Sequence, residues 1–287
     1  MQRDKGVIVE ELIIEQGDGE LNDVTVKLLR EAASHIKLIS SLVIDMFACD
    51  CSDVQAANIL EIFTTSKSTG NDDCLSGKVI KKIKLDFSET KVCKNTMNVF
   101  VEALILNRSS LKHLELSVAR CKINNSESEF THVPFTLDEL SFIRFDFEES
   151  RLHRGFTNWI ESLINDTEIS PKLNTVVMNC VSTMSCKLAQ YIPYAILTPS
   201  NYSNLSLDLS NSNISIDQAT KLLNSFASMV KQLKKFKINL REISSLNLQV
   251  VKDIIQQIKA DHQAKSGLDG ENIKVFNFGE NRQLILD

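Results

Sequence analysis

The sequence predicts an α/β chain made of stacked strand–helix units, and three observations carry that prediction. First, nine short segments share one pattern: an apolar residue, two variable positions, a second apolar residue, one variable position and a third. They are Val9/Leu12/Ile14, Ile39/Leu42/Ile44, Ile80/Ile83/Leu85, Leu111/Leu114/Leu116, Leu140/Ile143/Phe145, Leu173/Val176/Met178, Tyr202/Leu205/Leu207, Leu233/Phe236/Ile238 and Ile273/Phe276/Phe278. Second, their middle residues recur 30, 41, 31, 29, 33, 29, 31 and 40 positions apart, and a period near thirty signals stacked repeats. Third, helix-capping residues recur at one offset. Ser52 and Gln55 stand in the same relation to Leu42 as Ser215 and Gln218 do to Leu205.

Each core alternates apolar and polar residues, the period of a strand with one buried face. In the first unit Val24, Leu28, Ala32 and Ile36 recur every four positions and predict a helix face over Asn22–Ile36, capped by Asn22. The second unit opens its helix with the Ser52-x-x-Gln55 box, in which a hydroxyl accepts from an otherwise unpaired N–H. Val99, Leu104 and Ile105 mark the third helix, and Trp159, Leu163 and Ile164 the fifth. Leu222, Leu223, Phe226 and Met229 mark the seventh, and Val250, Ile254, Ile255 and Ile258 the eighth. The fourth unit, Cys121–Glu139, has the cap candidate Asn124 but little apolar period, so irregular backbone or a short helical turn is expected there. The two long intervals place polar insertions at about Ser66–Gly77 and Asp261–Glu271, which belong on the surface.

A chain of 287 residues with 43% hydrophobic and 24% charged residues can bury a sizeable core. With 9 Gly and 4 Pro, no flexible linker divides it, so residues 1–287 read as one domain with terminal segments at 1–6 and 279–287. A net charge of −5 argues against general nucleic-acid binding, which needs a basic stripe to neutralise phosphates. No run of eighteen apolar residues predicts a membrane span, and Met1–Gly6 lacks the apolar core of a secretory signal. Seven Cys without a regular framework fit a reducing, cytosol-like compartment.

The apolar core followed by a returning helix resembles the leucine-rich repeat of the ribonuclease-inhibitor-like type, from about Val7 to Phe278. The resemblance implies a horseshoe-shaped solenoid of about nine strand units, a parallel sheet on its concave face and helices on its convex face. It also implies a monomeric, non-enzymatic scaffold that binds another protein and needs no cofactor. The family places Asn or Cys three residues after the third anchor. Those positions here read Gly17, Phe47, Ser88, Ala119, Glu148, Val181, Ser210, Arg241 and Asn281, so the family's ladder is expected to be almost absent. Degenerate repeats in a chain rich in Asn, Ile, Lys and Ser are similar to proteins delivered into host cells by intracellular bacteria such as Legionella. That likeness implies an effector acting in host cytoplasm.

If each core is a strand, the positions around its last two anchors point out of the concave face and stack into columns. The last column reads Glu15, Asp45, Asp86, Ser117, Asp146, Asn179, Asp208, Asn239 and Gly279. Two readings stand: turn chemistry at strand ends, or an acidic stripe that steers a basic partner. The middle column contains Lys84, Glu115 and Arg144, which predict cross-strand pairing. The first contains Lys82, His113 and Phe142. Phe142 reads either as an aromatic interface residue flanked by His113, Arg144 and Asp146 or as packing beneath the fourth unit. The candidate partner site is therefore Lys82, Lys84, Asp86, His113, Glu115, Phe142, Arg144, Asp146 and Asp208.

Little else suggests chemistry. Cys49-x-Cys51 lacks a second pair at metal-ligand spacing, and Cys49 and Cys121 sit where a repeat wants a small core residue. The five His form no metal or triad pattern, and there is no phosphate-binding Gly motif. The leading expectation is a protein-binding scaffold whose partner has a basic surface. The alternatives are an adaptor recruiting a host ubiquitin or signalling complex, and a thiol-dependent enzyme using Cys186 or Cys121.

Overall fold

The computed structural model describes residues 7–64, 79–123, 135–152, 154–182, 202–212, 214, 215, 217, 221, 234–240, 249, 252, 253, 256, 276–278 and 283–286. The chain begins with β1 (Val7–Glu15), β2 (Gly19–Glu20), α1 (Asp23–Ser34), β3 (Ile36–Asp45), β4 (Cys49–Asp50) and α2 (Asp53–Thr64). It continues with β5 (Lys82–Asp86), α3 (Lys94–Leu106), β6 (His113–Ser117), β7 (Lys122–Ile123), β8 (Phe142–Asp146), β9 (Arg151–Leu152) and α4 (Arg154–Asn165). The last strands are β10 (Thr175–Asn179), β11 (Asn204–Asp208), β12 (Lys235–Asn239), β13 (Phe276–Phe278) and β14 (Gln283–Leu286).

Eight of these strands form one parallel sheet in the order β1-β3-β5-β6-β8-β10-β11-β12. Anchors stack on anchors: Leu42 lies opposite Ile83, Ile83 opposite Leu114, and Leu114 opposite Ile143. Ile83, Leu85, Leu114, Leu116, Ile143 and Phe145 are buried, so the period-two pattern buries one face as predicted. No helix among the described residues is long and apolar enough to cross a membrane.

The ninth core departs from the predicted parallel stack. β14 bonds β12 antiparallel, and β13 bonds β14 antiparallel beyond it. A hairpin needs only a short connection, whereas a parallel rung needs a crossover. The segment assigned to a terminal cap thus supplies the rung next to β12, and the predicted ninth strand becomes the sheet boundary.

The helices also bring a correction. Asn22 caps α1, its Oδ1 accepting from Thr25 N at 2.9 Å. The inward face is Val26, Leu29 and Ala33, however, while Val24 and Leu28 are 64% and 61% exposed. Leu21, buried just before the cap, fixes how the chain enters the helix. That entry turns the 26/29/33 stripe onto the core and the predicted 24/28/32 stripe away from it. The Ser52/Gln55 box closes in both directions: Ser52 N donates to Gln55 Oε1 at 2.9 Å, and Gln55 N to Ser52 Oγ at 3.3 Å. Gln55 Nε2 also donates to Leu21 O at 2.8 Å, tying the second unit to the first.

Leu104 of α3 and Trp159, Leu163 and Ile164 of α4 are buried, as their spacing predicts. Phe100 meets Trp159 edge-on at 5.8 Å, and Phe156 stacks on Trp159 at 5.8 Å. The third and fifth units therefore share an aromatic core. The caps Asn124 and Gln218, the helix-marking residues Leu222, Leu223, Phe226, Met229, Val250, Ile254, Ile255 and Ile258, both polar insertions and Cys186 lie outside the described residues.

After β3, β5, β6, β8, β10 and β11 the chain turns in the same way. A fourth apolar anchor, two residues beyond the third, is buried at Met46, Phe87, Val118, Phe147, Cys180, Leu209 and Leu240. Two residues further, Ala48, Glu89, Arg120, Glu149, Ser182 and Asn211 all take φ between 52° and 59°. Next comes a buried small residue: Cys49, Thr90, Cys121, Ser150 or Ser212. Its side chain satisfies a backbone carbonyl that the turn would otherwise strand. Cys121 Sγ donates to Phe87 O at 3.1 Å, Ser150 Oγ to Val118 O at 2.6 Å, and Ser212 Oγ to Cys180 O at 2.9 Å. A polar ladder absent at three residues past the third anchor is present at five.

Candidate functional site

The columns expected on the sheet face opposite the buried anchors, its open face, follow the strand register. Lys82, His113 and Phe142 are neighbours, as are Lys84, Glu115 and Arg144, and Asp86, Ser117 and Asp146. Asp208 lies two rungs beyond Asp146, with Asn179 between them. All nine predicted residues are thus on one face. Eight of them gather on three adjacent strands, β5, β6 and β8, and Asp208 stands apart on β11.

At the centre Phe142 is half-buried and stacks on His113, with ring centroids 4.1 Å apart and planes 4° from parallel. His113 Nε2 donates to Glu115 Oε1 at 2.6 Å, which fixes the imidazole plane against the phenyl ring. The ring is therefore a wall of the open face and not a core residue. A flat, prepositioned aromatic pair has little side-chain freedom left to lose on contact with another surface.

The expected Lys84–Glu115–Arg144 ladder does not close. Glu115 folds back onto His113, two residues earlier on its own strand, while the long Lys84 and Arg144 side chains reach solvent. Both cations are left available on either side of the aromatic pair. Lys82, half-buried, has its Nζ 3.9 Å from Glu11 Oε1 two rungs away.

The acidic column does turn chemistry. Asp86 Oδ1 accepts from Ser88 N at 2.9 Å, Asp146 Oδ1 from Glu148 N at 3.1 Å, and Asp208 Oδ1 from Ser210 N at 3.0 Å. Asp45 and Asn179 do the same for Phe47 N and Val181 N. Each carboxylate commits one oxygen to the turn that follows its strand. Asp208 commits the other as well, accepting from Asn239 Nδ2 at 2.9 Å.

One group of surface charges had no counterpart in the sequence reading. Arg120, on a left-handed turn, reaches Glu89 at 2.5 Å, Glu149 at 3.2 Å and Glu148 at 3.6 Å. Only Asn211 among the six left-handed residues is of a type that favours that conformation. Their constant offset from the third anchor was the available signal.

Four of the five described thiols are buried and the fifth, Cys93, is half-buried. Burial pushes the Cys121 thiol up, against the lowering effect of its contacts at Thr90, and pushes Cys51 up to about 12. A raised thiol pKa is the opposite of what a nucleophilic cysteine needs. Cys49, Cys51, Cys121 and Cys180 are buried, and no described cysteine is in a disulfide. Among the described residues no three His, Cys, Asp or Glu converge as a metal site would require.

No protein-family model matches this sequence, and no curated protein matches it.

Proposed function

We propose that the chain is a leucine-rich-repeat scaffold that binds a protein across the open face of its sheet, centred on Phe142. The register of the strands supports the repeat reading, and so does the buried polar ladder. Counted from Met46, Phe87, Val118, Phe147 and Leu209, the ladder residues fall three positions on, the offset at which that repeat type places Asn or Cys. On this reading the sheet is the concave face of a solenoid and the helices are its convex face. The partner is a host protein met in the cytoplasm.

The single observation that carries the binding site is the His113–Phe142 stack, a half-exposed aromatic platform held by Glu115 and flanked by Lys84 and Arg144. The Asp column contributes negative potential from carboxylates whose geometry is set by the turns. It steers a basic partner. The decisive comparison is affinity enrichment from host-cell extract with wild type, Phe142→Ala/His113→Ala, and Asn98→Arg on the helix side. The reading expects a protein retained by wild type and Asn98→Arg and lost with the double variant. Equal retention by all three disposes of an open-face site. Asp146 is left unchanged because its loss would also disturb the turn at Glu148.

A further inference from the structure

The two ends of the sheet are finished differently. At one end the antiparallel β14–β13 pair closes the stack with a three-residue strand. At the other, the nine-residue β1 bonds β3 on one side and has no neighbour on the other among the described residues. A strand of that length spans about 30 Å, and the N–H and C=O groups along its outer side form a template for another strand.

The side chains of this edge specify what would fit. On the open face Glu11, Ile13 and Glu15 follow one another, with both carboxylates exposed and Ile13 52% exposed. On the other face Leu12 and Ile14 are only half-buried, whereas Leu42 and Ile44, one rung inward, are 0% exposed. Val7 and Ile8 extend the uncovered apolar area at 56% and 72% exposure. β1 carries Glu10, Glu11 and Glu15 and no basic residue. Glu11 is partly engaged, accepting from Ser41 Oγ at 3.0 Å with Lys82 Nζ at 3.9 Å. Glu15 has no ion pair among the described residues.

We propose that the β1 edge accepts an extended segment of a partner protein as an added strand. That segment carries Lys or Arg on both sides of an apolar run, in the order basic, apolar, apolar, apolar, basic. The basic residues pair with Glu11 and Glu15, the central apolar residue covers Ile13, and the two intervening positions cover Leu12 and Ile14. Because the charges are symmetric about Ile13, the segment fits in either direction. A second copy of this chain does not fit: antiparallel pairing about Ile13 would set Glu11 against Glu15 twice, and directly opposed like charges destabilise a strand pair. This edge is distinct from the Phe142 platform, so binding here does not depend on the function proposed above.

The test uses the full chain and two labelled synthetic peptides, Thr-Lys-Val-Ile-Val-Lys-Thr and Thr-Glu-Val-Ile-Val-Glu-Thr, in a fluorescence-anisotropy titration. The Lys peptide is expected to saturate and to bind about tenfold tighter than the Glu peptide, since two opposite-charge pairs become like-charge pairs. Its affinity should fall as salt is raised from 0.05 to about 0.5 M. Glu11→Lys/Glu15→Lys should reverse the preference. If that variant does not fold, Glu15→Lys alone should weaken the Lys peptide about threefold. Hydrogen exchange should show outward-pointing β1 amides that are open in the free chain and protected by the Lys peptide. Equal binding or no binding by both peptides overturns the proposal. So do outward β1 amides already protected in the free monomer, or a homodimer through β1 in sedimentation velocity.

Discussion

Asp53 supplies the sharpest stability prediction, because it stands at the start of one helix and caps the next. Its Oδ1 accepts from Cys93 N at 2.7 Å, Thr96 N at 3.0 Å and Thr96 Oγ1 at 2.8 Å, and its Oδ2 accepts from Asn95 N at 2.8 Å. Cys93, the N-cap residue of α3, makes no side-chain cap of its own. Without Asp53 the N-cap amide of Cys93 and the first-turn amides of Asn95 and Thr96 lose this acceptor. A lost cap costs ~0.5–2 kcal/mol, and bonds to a charged acceptor lie at the upper end of the hydrogen-bond range. Asp53 is half-buried, so water recovers part of the loss, and Asp53→Ala is expected to cost about 2 kcal/mol. Asp53→Asn keeps one acceptor oxygen and is expected to cost about 1 kcal/mol.

The same contacts set a pH dependence. Burial pushes the Asp53 carboxyl up, but the amides of Thr96 and Cys93 and the Thr96 hydroxyl together outweigh it and hold the group below the usual carboxylate range. A depressed folded pKa gives stability that is present above the ordinary Asp value, near ~3.9, and lost as pH falls towards the folded value. Urea titrations followed by circular dichroism at pH 7 and pH 3 should therefore show the gap between wild type and Asp53→Asn shrinking at the lower pH. Amide exchange at Asn95 and Thr96 should rise in the variant. An Asp53→Ala variant within 0.5 kcal/mol of wild type at both pH values would refute the cross-unit cap.

Other substitutions probe the turns and the core. Ala48 has φ 54° and carries no polar side chain. Ala48→Gly should stabilise by about 0.5 kcal/mol, the left-handed strain outweighing the added chain entropy, read as a rise in Tm. Ser150→Ala removes the 2.6 Å bond to Val118 O in a buried site and should cost about 1–2 kcal/mol in urea unfolding. Trp159 is buried between Phe100 and Phe156, and its Nε1 has no partner among the described residues. In urea unfolding Trp159→Phe should cost less than ~1.5 kcal/mol, whereas Trp159→Ala should cost about 3–5 kcal/mol by opening a cavity.

Strand positions were legible because a half-buried strand writes its burial directly into alternate residues. The middle anchor is Leu42 in the second rung, Ile83 in the third and Ile143 in the fifth, and all three are buried without altering the pattern. The open-face columns followed from that alternation, since register on a sheet is two-fold and admits no partial slip. The inward stripe of α1 was not legible: two apolar stripes, 24/28/32 and 26/29/33, compete on one short helix. The choice between them comes from the buried Leu21 and the neighbouring α2, not from α1 itself. The ladder was missed by counting from the third anchor and not the fourth. Cys, Thr and Ser share that position, so no single residue type marks it. The turn role of Asp86, Asp146 and Asp208 was one of two open readings, and it needed backbone amide positions to be seen.

The most direct test of the binding account is hydroxyl-radical footprinting of the chain with and without the partner that Phe142→Ala/His113→Ala fails to retain. The account predicts that His113 and Phe142 lose reactivity in the complex while Leu106, 52% exposed at the end of α3, keeps its own. Protection of Leu106 with unchanged reactivity at His113 and Phe142 would place the partner on the helix side and contradict it.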